Sequence, residues 1–331
     1  MTDAGILEQA AAWLAEGQGV ALATVTRTWG SAPRPLGSQL AVSARGEFAG
    51  SVSGGCVEAA VVEAGREVIR TGAARRLTFG VTNERAWEVG LACGGTIDVA
   101  VARVEGQAAL APLPSDLAGR RLAVAVLDLA AGTGRLLHPE APEAAEDPLL
   151  LAAREAARRG RSGPADEPAG HLFLRVYAPP VRLVLVGAVH IAQALAPMAR
   201  LAGYDPVVVD PRPAFASAAR FPGTALLVAW PEPALGRLGV DRHDAVVALS
   251  HDPKLDDPAL AAALRAGAFY VGALGSKRSH AARCGRLSAL GLPPEAVARV
   301  RGPVGLDLGA EGPGEIAAAV LAELILSARR R

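Results

Sequence analysis

The sequence has few cysteines and almost no lysine. Three cysteines in 331 residues (Cys56, Cys93 and Cys284) cannot form the dense disulfide framework of a small secreted domain. They show neither C-x-x-C nor histidine-rich spacing, so we do not expect a structural zinc site. Lysine occurs only at Lys254 and Lys277, and 34 basic residues balance 33 acidic ones at a formal net charge of +1. This balance excludes a general nucleic-acid binder, which would carry a strongly basic face.

A long hydrophobic run is also missing. The longest uncharged stretch, 183–199, is interrupted by glycine, histidine, glutamine and proline, which favours a strand, a turn and a helix over a membrane span. The chain begins without a basic segment, so we expect no secretory signal and a cytoplasmic location. Hydrophobic residues make up 51% of the chain and charged residues 20%, which is typical of a globular protein of about two domains.

The first half predicts a mixed α+β domain over residues 1–178, with 111–170 as its least regular part. Helical spacing of apolar residues predicts helices over 6–16, from Cys56 to about Arg70, and over 149–159. Apolar runs between turn-forming residues predict strands over 20–26, 39–43, 47–51, 76–79, 96–104, 122–127 and 171–176. The segment 161–170 is rich in proline and glycine, and we predict an exposed loop there.

The second half, residues 179–331, predicts a Rossmann-like domain that begins at the pair Pro179-Pro180. Short, uniformly apolar strands alternate with helices, which is typical of a doubly wound parallel sheet covered on both faces. The predicted strands are 182–186, 206–210, 225–229, 245–249 and 269–273, and the predicted helices are 191–201, 258–266, 279–290 and 314–329.

The first strand of this domain ends in a partial dinucleotide-binding fingerprint. Gly187 and Ala192 occupy the first and third positions of Gly-x-Gly-x-x-Gly/Ala, but Val189 replaces the second glycine and would crowd a pyrophosphate. Asp210 ends the next strand, where an acidic residue binds the ribose of NAD. His190 should face the same crevice. The alternative is a turn of the fold that binds no ligand, and we expect NAD to bind weakly at best.

Two further strand ends carry polar residues that could face this crevice. Ser276, Lys277 and Arg278 at a helix start could hold a phosphate, or they could be an ordinary helix cap beside a solvated basic pair. His251 and Asp252 follow another strand and could contact a ligand or be plain loop residues.

The rarer signal lies in the first half, in two glycine loops that contain cysteine. Cys56 follows Gly54-Gly55 at a predicted helix start, where the helix dipole should lower the pKa of its thiol. Cys93 precedes Gly94-Gly95, so the two loops could form one pocket. The alternatives are two inert buried cysteines, or a thiol-redox protein whose cysteines lie 37 residues apart in sequence.

Several segments in the same order resemble the XdhC/CoxI family of molybdenum-hydroxylase accessory proteins. In the first half these segments are 30–37, 50–58 and 90–95, and in the second half they are 210–212, 250–252, 272–278 and 305–309. The resemblance covers nearly the whole chain except 111–170. Val189 departs from the family pattern, which commonly has glycine there.

The resemblance implies a chaperone, rather than an enzyme, that protects molybdenum cofactor and assists its sulfuration and insertion into an apo-hydroxylase such as xanthine dehydrogenase or CO dehydrogenase. A sulfur donor such as a cysteine desulfurase would be a second partner, and we also expect a homodimer. Arg34 could pair the cofactor phosphate, and Cys56 and Cys93 could ligate its molybdenum as soft thiolates. The candidate contacts are Arg34, Gln39, Ser53, Gly54, Gly55, Cys56, Glu58, Cys93, Gly94, Gly95, Gly187, His190, Asp210, His251, Asp252, Ser276, Lys277 and Arg278.

A different class of function stays open beside this one. A NAD-dependent oxidoreductase would use the Rossmann-like domain, with Asp210 on the ribose and His190 in the crevice. Fold alone cannot decide for it, because one fold supports many functions. It also leaves the two glycine loops with cysteine unexplained.

Overall fold

The computed structural model describes residues 2–31, 34–55, 57–80, 95–104, 112–140, 147–165 and 170–330. The chain divides into two units, Met1–Pro179 and Pro180–Arg331. Within the described ranges, no helix has both the length and the apolar sequence that a membrane span requires.

The N-terminal unit mixes helices with antiparallel sheets. Its elements in chain order are α1 (Asp3–Ala15), β1 (Val20–Trp29), β2 (Gln39–Ser43), β3 (Phe48–Gly50), α2 (Glu58–Thr71), β4 (Arg75–Phe79), β5 (Thr96–Arg103), α3 (Pro112–Ala118), β6 (Ala123–Asp128), β7 (Thr133–Leu137), α4 (Pro148–Arg159), β8 (Gly163–Pro164) and β9 (Leu172–Tyr177).

A five-stranded sheet with the order β3-β2-β1-β5-β4 forms the centre of this unit. Its two faces are covered by different helices, because β1 alternates the residues that it sends to each side. Ala23 and Val25 join Val61 and Val68 of α2 in one apolar cluster, and Leu22 joins α1 on the opposite face. Helix α2 therefore lies against the sheet, and its first turn lies beside the loop that follows β3.

A four-stranded sheet with the order β7-β6-β9-β8 completes the unit. A buried polar chain ties it to the five-stranded sheet: the Tyr177 hydroxyl donates to Gln39 Oε1 at 2.9 Å, and Gln39 Nε2 donates to Thr24 Oγ1 at 3.0 Å. Part of the predicted loop 161–170 belongs to this sheet, because Gly163–Pro164 pair with β9 and Ala165 is buried. Residues 163–164 are therefore in a strand rather than in the predicted exposed loop, although Pro164 is exposed.

The C-terminal unit is an α/β domain built on a parallel sheet. Its elements are β10 (Arg182–Val186), α5 (His190–Leu201), β11 (Asp205–Val209), β12 (Ala225–Leu227), α6 (Pro231–Leu238), β13 (Ala245–Ala248), α7 (Pro253–Arg265), β14 (Tyr270–Ala273), α8 (Lys277–Ala289), α9 (Pro294–Val297), β15 (Val300–Arg301) and α10 (Pro313–Arg329).

The six strands run in the order β12-β11-β10-β13-β14-β15, and each adjacent pair is parallel. Helices cover both faces: α6, α7 and α8 pack on one side, and α5 and α10 pack on the other. Apart from charged residues at strand ends (Arg182, Asp205 and Arg301), the strands are apolar because neither face meets water. This confirms the predicted fold class, and it places the reversal of strand order between β10 and β13, where doubly wound sheets bind ligands.

Candidate functional site

In the N-terminal unit, the loop between β3 and α2 closes around the carboxylate of Glu58. Glu58 Oε1 accepts hydrogen bonds from Ser51 Oγ at 2.8 Å and from the backbone N–H groups of residues 52, 53 and 54 at 3.2, 2.9 and 3.1 Å. Oε2 accepts from Ser53 Oγ at 2.6 Å and from the N–H groups of residues 55 and 57 at 2.8 and 3.2 Å. The donors of the loop therefore converge on one acidic side chain of the same chain.

These hydrogen bonds keep Glu58 ionised although its side chain is almost buried. Burial alone raises the pKa of a carboxyl group, but the hydrogen bonds from Ser53 and Ser51 outweigh it and lower the pKa of Glu58 to about 2. The negative charge lies in the first turn of α2, where the helix dipole stabilises it. The loop thus contains a permanent anion at neutral pH.

The conformation of this loop requires glycine at two adjacent positions. Gly54 has φ +89° and Gly55 has φ +128°, a range that other residues rarely adopt, whereas a Cβ atom at either position would meet no atom within 4 Å. Both glycines are exposed. The backbone conformation therefore requires both glycines. Their N–H groups donate to Glu58 rather than to a bound molecule. A direct contact of Ser53, Gly54 and Gly55 with a cofactor stays a prediction.

The predicted start of helix α2 is corrected by the structure. The helix begins at Glu58 with Val57 as its N-cap residue, so Cys56 does not open it. Cys56, Cys93 and Gly94 lie outside the described residues, and their predicted contacts with the cofactor and its molybdenum stay predictions. In the described part of the chain, no group of three or more His, Cys, Asp or Glu residues could hold a metal ion.

Two other predicted contacts in this unit are structural residues. Gln39 is 1% exposed, and both ends of its amide bond Thr24 and Tyr177, so its side chain forms a buried bridge and its cofactor contact stays a prediction. Gly95 is buried, and a Cβ there would lie 2.7 Å from the Ser31 carbonyl oxygen and 2.9 Å from that of Trp29. Close packing against the end of β1 explains this glycine without a ligand.

Arg34 differs from these residues because part of its hydrogen-bonding capacity is unused. It is half-buried, and its Nε atom is inaccessible to water and has no hydrogen-bond partner among the described residues. A buried guanidinium donor without an acceptor costs free energy, so an acceptor from a bound molecule would stabilise it. Arg34 therefore has a buried guanidinium donor that an acceptor from a bound anion could pair.

In the C-terminal unit, Gly187 and Asp210 lie together at the carboxyl ends of β10 and β11. Asp210 Oδ2 accepts from the N–H of Ala188 at 2.8 Å, and the guanidinium of Arg212 donates to both carboxylate oxygens at 2.8 and 2.7 Å. Burial opposes ionisation of Asp210, but the hydrogen bonds from Arg212 and Ala188 hold its pKa below the usual range.

This arrangement acts against Asp210 as a ribose ligand, and that role stays a prediction. Its side chain is 0% exposed and pairs with Arg212, whose guanidinium lies 3.9 Å above the ring of Phe215. Val189 is the N-cap residue of α5, at the position where the dinucleotide fingerprint needs glycine, and the exposed His190 follows it. Both features act against the contacts that NAD makes with this fold.

The structure also brings the end of β13 to the same edge of the sheet. A Cβ at Gly187, which has φ +104°, would lie 2.9 Å from the N atom of Ser250, so the two chain segments touch. Ser250 Oγ donates to Asp256 Oδ1 at 2.6 Å, and Asp252 caps α7 by accepting from the N–H of Lys254 at 2.9 Å. Asp252 therefore caps a helix, a role that the sequence did not predict, and its contact with a ligand stays a prediction.

His251 and the segment after β14 complete this edge. His251 is exposed and adopts φ +63°, an uncommon backbone conformation for a residue with a side chain. Ser276 forms a reciprocal cap with Ser279, through contacts of 3.1 and 2.7 Å, which is the ordinary helix cap of the alternative, and its phosphate contact stays a prediction. Lys277 and Arg278 are exposed, and their predicted phosphate contact stays a prediction.

Sequence reasoning did not assign roles to three residues that organise these sites. Ser51 bonds Glu58 from seven positions away, Arg212 pairs with Asp210, and Ser250 holds Asp256. Each lies inside a segment on which the family resemblance rests. In the sequence, each of these residues only lies near an acidic residue. That proximity does not by itself show that the two side chains form a hydrogen bond.

Comparisons with known proteins give a consistent result for both units. A family model described as "XdhC Rossmann domain" matches residues 183–324, and one described as "XdhC and CoxI family" matches residues 13–80. The chain is 31% identical over 319 residues to the "Molybdenum cofactor insertion chaperone PaoD" of Escherichia coli (strain K12), with 96% of this chain and 86% of that protein covered.

Two further proteins are similar along most of their length. The chain is 29% identical over 319 residues to a protein of Bacillus subtilis (strain 168) that is named as a probable xanthine dehydrogenase subunit, with 93% of each chain covered. A crystal structure described as a xanthine dehydrogenase from Bacillus halodurans superimposes with a TM-score of 0.80 at 25% identity, and the match covers 100% of this chain and 97% of that one.

Proposed function

Because the chain belongs to the XdhC and CoxI family, we propose that it binds molybdenum cofactor, protects it and assists its sulfuration and insertion into an apo-molybdenum hydroxylase. The observation that carries this proposal is the similarity, over 96% of the chain, to a protein named as a molybdenum cofactor insertion chaperone. The recipient would be an enzyme such as xanthine dehydrogenase or CO dehydrogenase. A sulfur donor such as a cysteine desulfurase and a second copy of this chain would be the other partners.

The described residues supply one group suited to this cargo. The cofactor is a phosphorylated pterin with a dithiolene, so its carrier needs an anion partner, and the guanidinium of Arg34 has a buried donor free for one. The loop around Glu58 supports the proposal less directly, since its N–H groups already have an acceptor. Cys56 and Cys93 are proposed as the soft ligands of the molybdenum.

Equilibrium titration of purified cofactor against the protein tests the binding step. We predict that Arg34→Ala weakens cofactor binding about tenfold or more, because a hydrogen bond to a charged group contributes about 1.5–3 kcal/mol. Arg66→Ala is the matched control, since Arg66 lies on the surface of the same unit and pairs with Glu63. Equal affinities of the wild-type and Arg34→Ala proteins would remove Arg34 from the site.

Reconstitution of an apo-hydroxylase tests the delivery step. Cofactor loaded on this protein should activate the apo-enzyme faster and to a higher final activity than free cofactor at the same concentration. A wild-type protein that does not bind the cofactor, or that delivers it no better than serum albumin does, would contradict the proposal. Light scattering of the purified protein tests the proposed dimer separately.

A further inference from the structure

The carboxylate of Glu58 is coordinated in the manner of a bound anion. It accepts from five consecutive or near-consecutive backbone N–H groups, those of Val52, Ser53, Gly54, Gly55 and Val57. The side chain is 8% exposed, and it has no ion pair with a basic side chain among the described residues. Neutralisation of the charge is therefore left to backbone dipoles, to two hydroxyl groups and to the N-terminus of α2.

A ring of backbone N–H groups around a left-handed turn is a form in which proteins bind phosphate and other anions. In this protein the anion is part of the chain. Both oxygens of Glu58 occupy the ring, so an external phosphate would have to displace this carboxylate. The carboxylate belongs to the residue directly after Val57, the last N–H donor of the ring, so it cannot diffuse away. The loop is therefore closed to the phosphate of a bound molecule, although its glycines are exposed to solvent.

We infer that Glu58 is a positioning residue that acts as the built-in anion of this loop. Its carboxylate holds Ser51–Gly55 and Val57 in one fixed arrangement and keeps external anions out of the ring. The consequence for cofactor handling rests on the proposed function: the phosphate goes to Arg34, and the loop serves to carry Cys56. Gly55 and Val57 flank Cys56 in the chain and both donate to Glu58 Oε2, at 2.8 and 3.2 Å.

The chemistry of the side chain offers a direct test. Glu58→Ala removes one methylene and the carboxylate, and the removed group corresponds in size and charge to acetate. We expect the amide resonances of residues 52–57 to shift or broaden in Glu58→Ala, and added acetate to return them towards their wild-type positions. Inorganic phosphate should perturb the same resonances in Glu58→Ala and leave them unchanged in the wild-type protein.

Cofactor affinity gives the second measurement. Glu58→Ala should bind the cofactor about tenfold or more weakly, because the loop that flanks Cys56 is no longer held by the carboxylate, and acetate should recover most of this loss. Glu63→Ala is the matched control, because Glu63 is an exposed glutamate on the same helix, and acetate should have no effect on it. A residue that only stabilised the fold would not be rescued by a small carboxylate.

Glu58→Gln keeps the size of the side chain but places an amide NH2 group against N–H donors, so it should perturb the loop in the same direction. It also serves if Glu58→Ala does not fold. The inference is overturned if loop resonances in both variants match the wild type, if acetate restores nothing, or if phosphate perturbs the wild-type loop. A wild-type protein that fails to bind cofactor while acetate still restores the loop would refute the proposed function and leave the role of Glu58 intact.

Discussion

At the residue scale, two buried carboxylates keep their charge by different means. Glu58 relies on backbone N–H groups and two serines, whereas Asp210 relies mainly on the guanidinium of Arg212. In both cases the pKa lies below the ordinary value because hydrogen bonds outweigh the cost of burial. A carboxylate held in this way links the local structure to pH, since protonation removes the charge that strengthens these hydrogen bonds and turns one acceptor oxygen into a donor.

For Asp210 this link predicts a pH-dependent stability. Asp210→Asn should lower the free energy of unfolding at pH 7 by roughly 1–3 kcal/mol, because it leaves buried donors with a poorer acceptor. A carboxyl group with a lowered pKa in the folded state stabilises above its unfolded pKa of 3.8, and this contribution disappears as the pH falls further. Urea unfolding should therefore show the difference between variant and wild type shrinking below about pH 4.

The control for this measurement is Asp205→Asn, at the exposed first position of β11, the strand that Asp210 follows. It should change the free energy of unfolding by no more than about 0.5 kcal/mol at either pH. A constant difference between Asp210→Asn and wild type from pH 7 to pH 3 would show that the Asp210 carboxylate contributes nothing through its charge.

The same pair predicts the outcome of nucleotide binding. NAD should show no micromolar binding to the wild-type protein, because Asp210 is occupied by Arg212 and Val189 stands at the pyrophosphate turn. Isothermal calorimetry with the protein at tens of micromolar, about the range such binding requires, measures this directly. Micromolar binding that disappears in Asp210→Ala would bring back the oxidoreductase alternative.

At the scale of elements, the edge of the parallel sheet depends on the close approach of two strand ends. The chain at Gly187 passes so near Ser250 that a Cβ would lie 2.9–3.0 Å from three atoms of that serine. Contacts this short force backbone or neighbours to move. At the strand-order reversal, the chain at Gly187 therefore leaves no space for a side chain against Ser250.

Gly187→Ala should consequently destabilise the protein by more than backbone strain alone. Gly203→Ala is the matched control, since Gly203 also has a positive φ (+88°) but open space around it. Strain of this type costs roughly 1–3 kcal/mol, and the contact with Ser250 should add to that cost in Gly187→Ala only. Equal midpoints of thermal unfolding for the two variants would mean that the backbone near Ser250 moves to make room for the added Cβ without a measurable cost in stability.

The sequence predicted elements well where one physical pattern dominated. Uniform apolar runs placed β10 at its observed residues, and the next four strands were placed within one or two residues of their observed ends. Helices α3 and α6 were missed because prolines interrupt their short apolar patterns, and β7 was missed because only pairing with β6 defines it. Short elements of this type depend on tertiary contacts that no local pattern contains.

The candidate site was predictable in composition and less so in arrangement. The cysteine behind two glycines identified the loop before α2, but the sequence did not show that the acidic residue after it would accept the hydrogen bonds of the loop. Likewise, the position of Asp210 was recognisable from its distance to Gly187, whereas its pairing with Arg212 was not. The fold decides which polar side chains form hydrogen bonds with each other, and several other polar residues within a few positions could have been chosen instead.

At the scale of the whole molecule, the C-terminal unit has its own complete core. Both faces of its sheet are covered by helices from the same unit, and the buried pair Arg182–Asp244 at 2.5 Å lies within it. We predict that residues 180–331 expressed alone unfold cooperatively and keep their far-ultraviolet circular dichroism, because a domain with its own core can fold independently. A non-cooperative transition of this fragment, beside a cooperative one of the full chain, would contradict this.

The bond between Tyr177 and Gln39 has a consequence for biosynthesis. The two residues lie 138 positions apart in sequence, and Tyr177 is the last residue of β9. A nascent chain that ends before Tyr177 would leave the buried Gln39 amide without its donor and the four-stranded sheet without its central pairing. Contacts so distant in sequence also slow folding, because a long loop must close first. During synthesis, the N-terminal unit can therefore complete its fold only after more than half of the chain has emerged from the ribosome.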